Sequence, residues 1–208
     1  MLFSVEVSFG RRVRRFYGVQ LRGWIHTCVP NMYHGAWGFS LDPRPGGFTL
    51  HTPDRALAEA VARAAAGGVE IPEPVPVVSV SLGEEEIPRI PVPGGSFTIR
   101  ARTPLLLRVA SRDLSCFDSY ALSAALENAG RRAGVPSEPP TLSVVAQEAR
   151  PVRVGKYRGI LGWAEVMVLD SGDLGALLGA AKVLGLGRQT SAGFGRVAIS
   201  TGGTPRGR

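Results

Sequence analysis

Three histidines, His26, His34 and His51, are the side chains of this chain best suited to moving a proton near neutral pH, because an imidazole titrates near pH 6.5. They do not read as a metal site. His26-x-Cys28 followed by His34 is a poor zinc spacing, and no Asp/Glu pair stands near them in sequence. No nucleophilic triad has a local signature either, so neither a metal nor a cofactor is expected. The second chemically suggestive stretch lies near the end, Gly185-Leu186-Gly187-Arg188-Gln189-Thr190-Ser191-Ala192-Gly193-Phe194-Gly195-Arg196-Val197. Its glycine pairs allow positive φ and close backbone approach. A helical pattern enters it (Leu174, Leu177, Leu178, Ala181, Leu184) and a strand-like run leaves it. A dinucleotide loop has the reverse order, and a P-loop would end in Gly-Lys-Ser/Thr. Two readings stay open: a tight helix-to-strand connection without a ligand, or exposed amides and two arginines suited to a polyanion backbone.

Charge favours the polyanion. The formal net charge is +7, and all but two of the 24 basic residues are arginine. Up to Gly94 the chain carries 9 basic and 9 acidic residues; beyond it, 15 basic and 8 acidic. The excess therefore belongs to the second half. Arginine forks bind phosphates bidentately and stack on bases, which suits nucleic acid. No apolar run reaches the roughly 18 residues of a membrane span, and the first ten residues lack a signal-peptide layout. A cytoplasmic protein without membrane contact is expected. Cys28 and Cys116, far apart and outside any C-x-x-C, read as two buried free thiols.

The elements that must position these residues repeat. Alternation of Phe3, Val5 and Val7 predicts a strand over 2–8, followed by a helix over 13–29 that Pro30 stops. Strands follow over 36–41 and 48–51, then a helix N-capped by Thr52 with Pro53 at its first position, then a strand over 75–82. This is the β-α-β-β-α-β order of a ferredoxin-like domain. The stretch 83–95, with Glu84-Glu85-Glu86 as a solvated turn, reads as a linker. After it the order recurs: strand 97–110, helix 119–132, strands 141–149 and 158–169, helix 172–184, strand 197–200. The expected fold is α+β, two tandem ferredoxin-like domains over residues 1–86 and 95–200, with a disordered tail over 201–208.

The glycine loop, with the helix before it and the strand after it, resembles the C-terminal signature of the repeat-associated RNA-binding (RAMP) superfamily of CRISPR systems. Within that superfamily it is most similar to the endoribonuclease that cuts CRISPR precursor RNA into guides. Arg22-Gly23-Trp24-Ile25-His26 looks like that family's first-helix segment, and Tyr33-His34-Gly35-Ala36-Trp37-Gly38-Phe39-Ser40 looks like its catalytic histidine and following strand. The resemblance implies His34 as the catalytic histidine and His26 at the position of a partner tyrosine, with Tyr33 in reserve; His51 is expected to be structural. It implies RNA contacts from Gly185, Gly187, Arg188, Gln189, Thr190, Ser191, Gly193, Gly195 and Arg196. A lysine found in some members between the histidine and the strand has no basic counterpart here, so Arg22 or Arg188 would replace it.

RNA offers chemistry that needs neither metal nor protein nucleophile, since its 2′-OH can attack the adjacent phosphate. The protein then supplies a base, an acid and cations. The expected function is a metal-independent endoribonuclease of CRISPR repeat RNA, acting as monomer or homodimer. Other CRISPR effector subunits are further partners the resemblance allows. The alternative is a non-catalytic RNA-binding subunit of a CRISPR effector complex.

Overall fold

The structure, a computed structural model, describes residues 1–13, 17–29, 38–135, 138–170 and 172–202. The chain divides into two compact units, Met1–Glu86 with Thr190–Gly193, and Ile87–Gln189 with Phe194–Arg208.

In the first unit β1 (Leu2–Phe9) buries Val5, Val7 and Phe9 on one face and turns Glu6 outward, the period of a half-buried strand. α1 (Gly18–Cys28) follows, inserting Leu21 and Ile25 one turn apart into the core. The helix starts later than the sequence pattern suggests. Tyr17, just ahead of it, is buried against Phe9 and donates its hydroxyl to the carbonyls of Arg44 and Gly47. That burial pushes the phenol well above its ordinary value. The hairpin of β2 (Ser40–Arg44) and β3 (Gly47–Thr52) is thus tied to the helix entrance. α2 (Arg55–Ala66) is capped by Asp54, whose carboxylate accepts from the Leu57 amide at 3.1 Å. The expected cap, Thr52, instead accepts from the Asp54 amide, so the helix begins two residues later. Leu57, Ala58, Val61 and Ala65 form its buried stripe; each large aliphatic side chain so buried contributes about 1.5–3 kcal/mol. A short ladder of β4 (Val69–Glu70) and β5 (Pro74–Val75) leads to β6 (Val77–Glu85). The sheet is antiparallel with order β2-β3-β1-β6. Glu84 and Glu85, read as a turn, belong to β6 and pair with Phe3 and Leu2.

The second unit repeats the plan. β7 (Ser96–Leu105) is followed by a small hairpin, β8 (Arg108–Val109) with β9 (Arg112–Asp113). α3 (Ser119–Arg132) starts at Asp118, whose carboxylate accepts from the Ala121 amide at 2.9 Å. β10 (Thr141–Val154) and β11 (Tyr157–Asp170) form a hairpin longer than the sheet it joins, because β11 pairs with β7 only from Ile160 onward. The outlying end carries Arg153, Lys156 and Arg158. α4 (Leu174–Leu184) buries Leu174, Leu177, Leu178, Ala181 and Leu184, all five residues of the sequence pattern. β12 (Val197–Thr201) completes an antiparallel sheet of order β10-β11-β7-β12. The segment read as a linker is docked on α4: Ile90 donates to Gly175 O at 3.0 Å, and Arg89 lies 2.9 Å from Asp173.

Both sheets place the first strand between the third and fourth, so the fold is α+β with two tandem ferredoxin-like units. Thr201 ends β12, and residues 203–208, most of the expected disordered tail, lie outside the described residues. Cys28 and Cys116 are free thiols but exposed, not buried. Among the described residues no helix is long and apolar enough to cross a membrane.

Candidate nucleic-acid interface

The glycine loop begins where α4 stops. Gly185, Gly187, Gly193 and Gly195 all have φ between 72° and 78°. A side chain is sterically barred at two of them. A Cβ on Gly195 would stand 1.8 Å from the Leu186 carbonyl oxygen, and one on Gly187 would stand 2.6 Å from that of Leu106. The glycines therefore let the backbone close on itself: Leu186 donates to Gly195 O at 2.8 Å and Gly195 to Pro104 O at 3.0 Å, while Arg188 donates to Leu106 O at 3.0 Å. Leu186 and Phe194, both fully buried, anchor the two arms. The tip, a 3-10 turn over Thr190–Ala192, is grouped with the first unit, where it packs on α1 and β2.

This arrangement corrects one expectation. The amides of Leu186, Arg188, Gly193, Phe194 and Gly195 are not exposed to a ligand but donate to protein carbonyls. The two arginines of the loop differ as well. Arg196 donates from Nη1 to Val183 O at 2.6 Å. Arg132, on α3, donates to Gly185 O at 2.9 Å, and its burial pulls the guanidinium down to about 10. Both cations sit at the C-terminal end of α4, where unpaired carbonyls and the helix dipole favour positive charge. Arg188 is exposed. Gly187, Gln189 and Ser191 are half-buried, whereas Gly185, Thr190, Gly193 and Gly195 are interior.

Beside Arg188 opens a cleft of about 200 Å³, lined by Arg108, Lys156, Arg158 and Arg188 together with Asp113, Tyr157 and Gln189. One of the four cations is neutralised, since Arg108 lies 2.8 Å from the Asp113 carboxylate. Tyr157 packs on Phe194 at 5.2 Å, and Lys156 Nζ stands 5.7 Å from its ring centre. Gln189 is held at φ 61°, a left-handed conformation uncommon for a residue with a side chain. A concave surface with a surplus of fixed cations and an aromatic ring can take a phosphate and the sugar or base beside it. Sequence reasoning missed Arg108, Lys156, Tyr157 and Arg158. The signal for the last three was the basic run Arg150, Arg153, Lys156, Arg158 around Gly155, the tip of a hairpin; Arg108, in a different segment, had none.

In the first unit Arg22 and His26 stand one turn apart on α1, both half-buried and on one side of the helix. Tyr33 and His34 lie outside the described residues. His51 is buried on β3, its Nδ1 3.0 Å from the Glu85 carboxylate on β6. That contact gives it a place within the sheet.

The sequence profile of the CRISPR-associated endoribonuclease Cas6 family matches residues 99–197. No curated protein sequence matches the chain. Among solved structures, the chain is similar to a Cas6 (TTHA0078) product complex, with 17% identity, a TM-score of 0.67, and coverage of 97% of this chain and 100% of that one. Thermus thermophilus Cas6 (TTHB231) shows 16% identity and a TM-score of 0.63, with 96% and 97% of the two chains covered. A RAMP protein binding different RNA substrates shows 16% identity and a TM-score of 0.55, with 96% and 99% covered. At these identities the likeness concerns the fold.

Proposed function

We propose, from a chain whose residues 99–197 match the sequence profile of the CRISPR-associated endoribonuclease Cas6 family and which has the fold of solved Cas6 proteins, that this protein cuts CRISPR repeat RNA within precursor transcripts to give guide RNAs. The observation that carries the reading is where the family match falls. It runs from β7 to the first residue of β12, and so takes in the glycine loop and all four cations of the cleft. Of the loop residues, Arg188, Gln189 and Ser191 have the exposure to touch RNA, while the glycines, Thr190 and Arg196 hold the loop in shape.

The chemistry needs no metal. The 2′-oxygen of the nucleotide before the cut bonds to the adjacent phosphorus as the bond from phosphorus to the 5′-oxygen breaks. A base takes the 2′-hydroxyl proton and an acid gives one to the departing 5′-oxygen, leaving a 2′,3′-cyclic phosphate and a 5′-hydroxyl. His34 is assigned one proton transfer, with His26, or Tyr33 in its place, assisting the other. Arg22 or Arg188 balances the charge that gathers on the phosphate oxygens.

Incubation with the repeat RNA of an adjacent CRISPR array, in EDTA, tests this. Products with a cyclic phosphate and a 5′-hydroxyl are expected, and a strict need for a divalent cation would overturn the mechanism. His34→Ala should lower the single-turnover rate by on the order of 10²–10⁴-fold, with RNA affinity changed by less than about 1 kcal/mol. A wild-type protein that binds the repeat and never cuts it would instead be the non-catalytic subunit of a CRISPR effector complex.

A further inference from the structure

The cleft beside Arg188 is built from cations, yet one carboxylate stands among them. Asp113 lies directly opposite Arg108 in the small hairpin of β8 and β9. The hairpin turns on Ala110 and Ser111, held at φ 45° and 67°. A two-residue loop with positive φ at both positions is usually made by Asn-Gly or Gly-Gly; here two residues with side chains hold it. Arg108 places two donors on one oxygen of Asp113, with Nε 2.9 Å and Nη2 2.8 Å from Oδ1. The other oxygen, Oδ2, has no partner among the described residues, and the Asp113 side chain stays 33% exposed.

A carboxylate offers hydrogen-bond acceptors only, so it repels a phosphate. Lys156, Arg158 and Arg188 attract the phosphates of RNA and DNA alike. Asp113 is suited instead to a donor that the ligand carries beside a phosphate. In RNA that donor is the 2′-hydroxyl, on the ribose carbon next to the one that bears the phosphate, whereas base donors lie beyond the ribose. The size of the cleft agrees. At about 200 Å³ it is below the roughly 300–1,000 Å³ of pockets that enclose a drug-sized ligand, and suits a phosphate with its ribose. We propose that Asp113 is a specificity-determining residue, whose Oδ2 accepts from one ribose 2′-hydroxyl of the bound RNA, away from the cut. DNA brings a phosphate to the same cations but no donor to the carboxylate, so Asp113 weakens DNA binding and leaves RNA favoured. The inference rests on the reading that the protein binds repeat RNA, and not on its cutting that RNA.

Filter binding tests this, with the repeat RNA of an adjacent CRISPR array, unmodified and with one 2′-deoxy nucleotide at each position in turn. For the wild type, at least one deoxy nucleotide outside the cut should lower affinity about three- to tenfold, the net contribution of one hydrogen bond. In Asp113→Ala that penalty should vanish, and an all-deoxy copy of the repeat should bind more tightly than it does to the wild type. Asp113 stands on an exposed hairpin, so circular dichroism and melting temperature should hold. If the alanine variant has an altered spectrum, Asp113→Val takes its place, with the same result expected. A wild type with no deoxy-sensitive nucleotide outside the cut, or a penalty that persists in the Asp113 variants, would overturn the proposal. Cleavage of the same RNAs in EDTA is scored separately. RNA bound with this penalty and never cut would sink the assigned reaction and leave the ribose contact standing. RNA cut normally with no such penalty would sink the contact alone.

Discussion

Arg188 and Arg196 stand in the same glycine loop, yet one borders an open cationic cleft while the other is bonded to the last turn of α4. The loop is therefore two regions. Its inner part, from Gly185 to Leu186 and from Phe194 to Arg196, is a closed backbone structure whose amides are used internally. Its outer edge, Arg188 and Gln189, meets the hairpin tip of Lys156 and Arg158 and forms the cleft. The difference teaches that a glycine-rich, basic loop need not hold anions with its own amides. Here the glycines fix a path, and side chains from three separate segments supply the charge.

The comparison breaks most visibly at Gly195. A valine there would force a Cβ into the Leu186 carbonyl and a side chain into φ 72°, so Gly195→Val should cost about 4 kcal/mol or more of stability. A thermal melt close to wild type would show that the inner part is not closed as described. Arg196→Ala should come next, with a loss of about 1–2 kcal/mol in stability from the unpaired Val183 carbonyl, while the RNA affinity of the folded protein stays near wild type. Arg188→Ala should behave in the opposite way: unchanged melting, and RNA binding weaker by about 1–2 kcal/mol if one charge-assisted phosphate contact is lost. Swapped outcomes for the two arginines would invert the assignment of the regions. Arg158→Ala sharpens the outer region further. It should lower the slope of log affinity against log salt by about 1, the signature of a single phosphate contact, with a smaller change in affinity at physiological salt.

Much of the fold could be read because local signals agreed with tertiary packing. The span 119–132 is a helix because Asp118 caps it and Leu122 and Leu126 recur on one face. The apolar pattern ahead of the glycine loop became α4 with every residue of the pattern buried. Boundaries moved where two signals competed, as at Thr52 and Asp54, both able to cap; Asp54 does so because its carboxylate reaches the Leu57 amide. The linker was harder to read, since Glu84 and Glu85 look solvated in sequence and are held in β6 by pairing with β1. The basic cleft was hidden for a different reason. Arg108, Lys156, Arg158 and Arg188 come from three segments far apart in the chain, and no spacing rule links them. The fate of the loop amides depends likewise on Leu106 and Pro104, which only the folded β7 end brings close. His26 and Arg22 could be placed on one side of a helix from spacing alone, whereas their roles toward RNA rest on the family resemblance.

The central claim is that the protein holds repeat RNA and lets the RNA's own 2′-hydroxyl break the chain. A repeat RNA with a single 2′-deoxy substitution at the nucleotide before the cut tests it most directly. The account predicts that this RNA binds with wild-type affinity and is not cleaved by the unmodified protein in single-turnover conditions. Cleavage of the deoxy substrate at the position cut in the all-ribose RNA would contradict it.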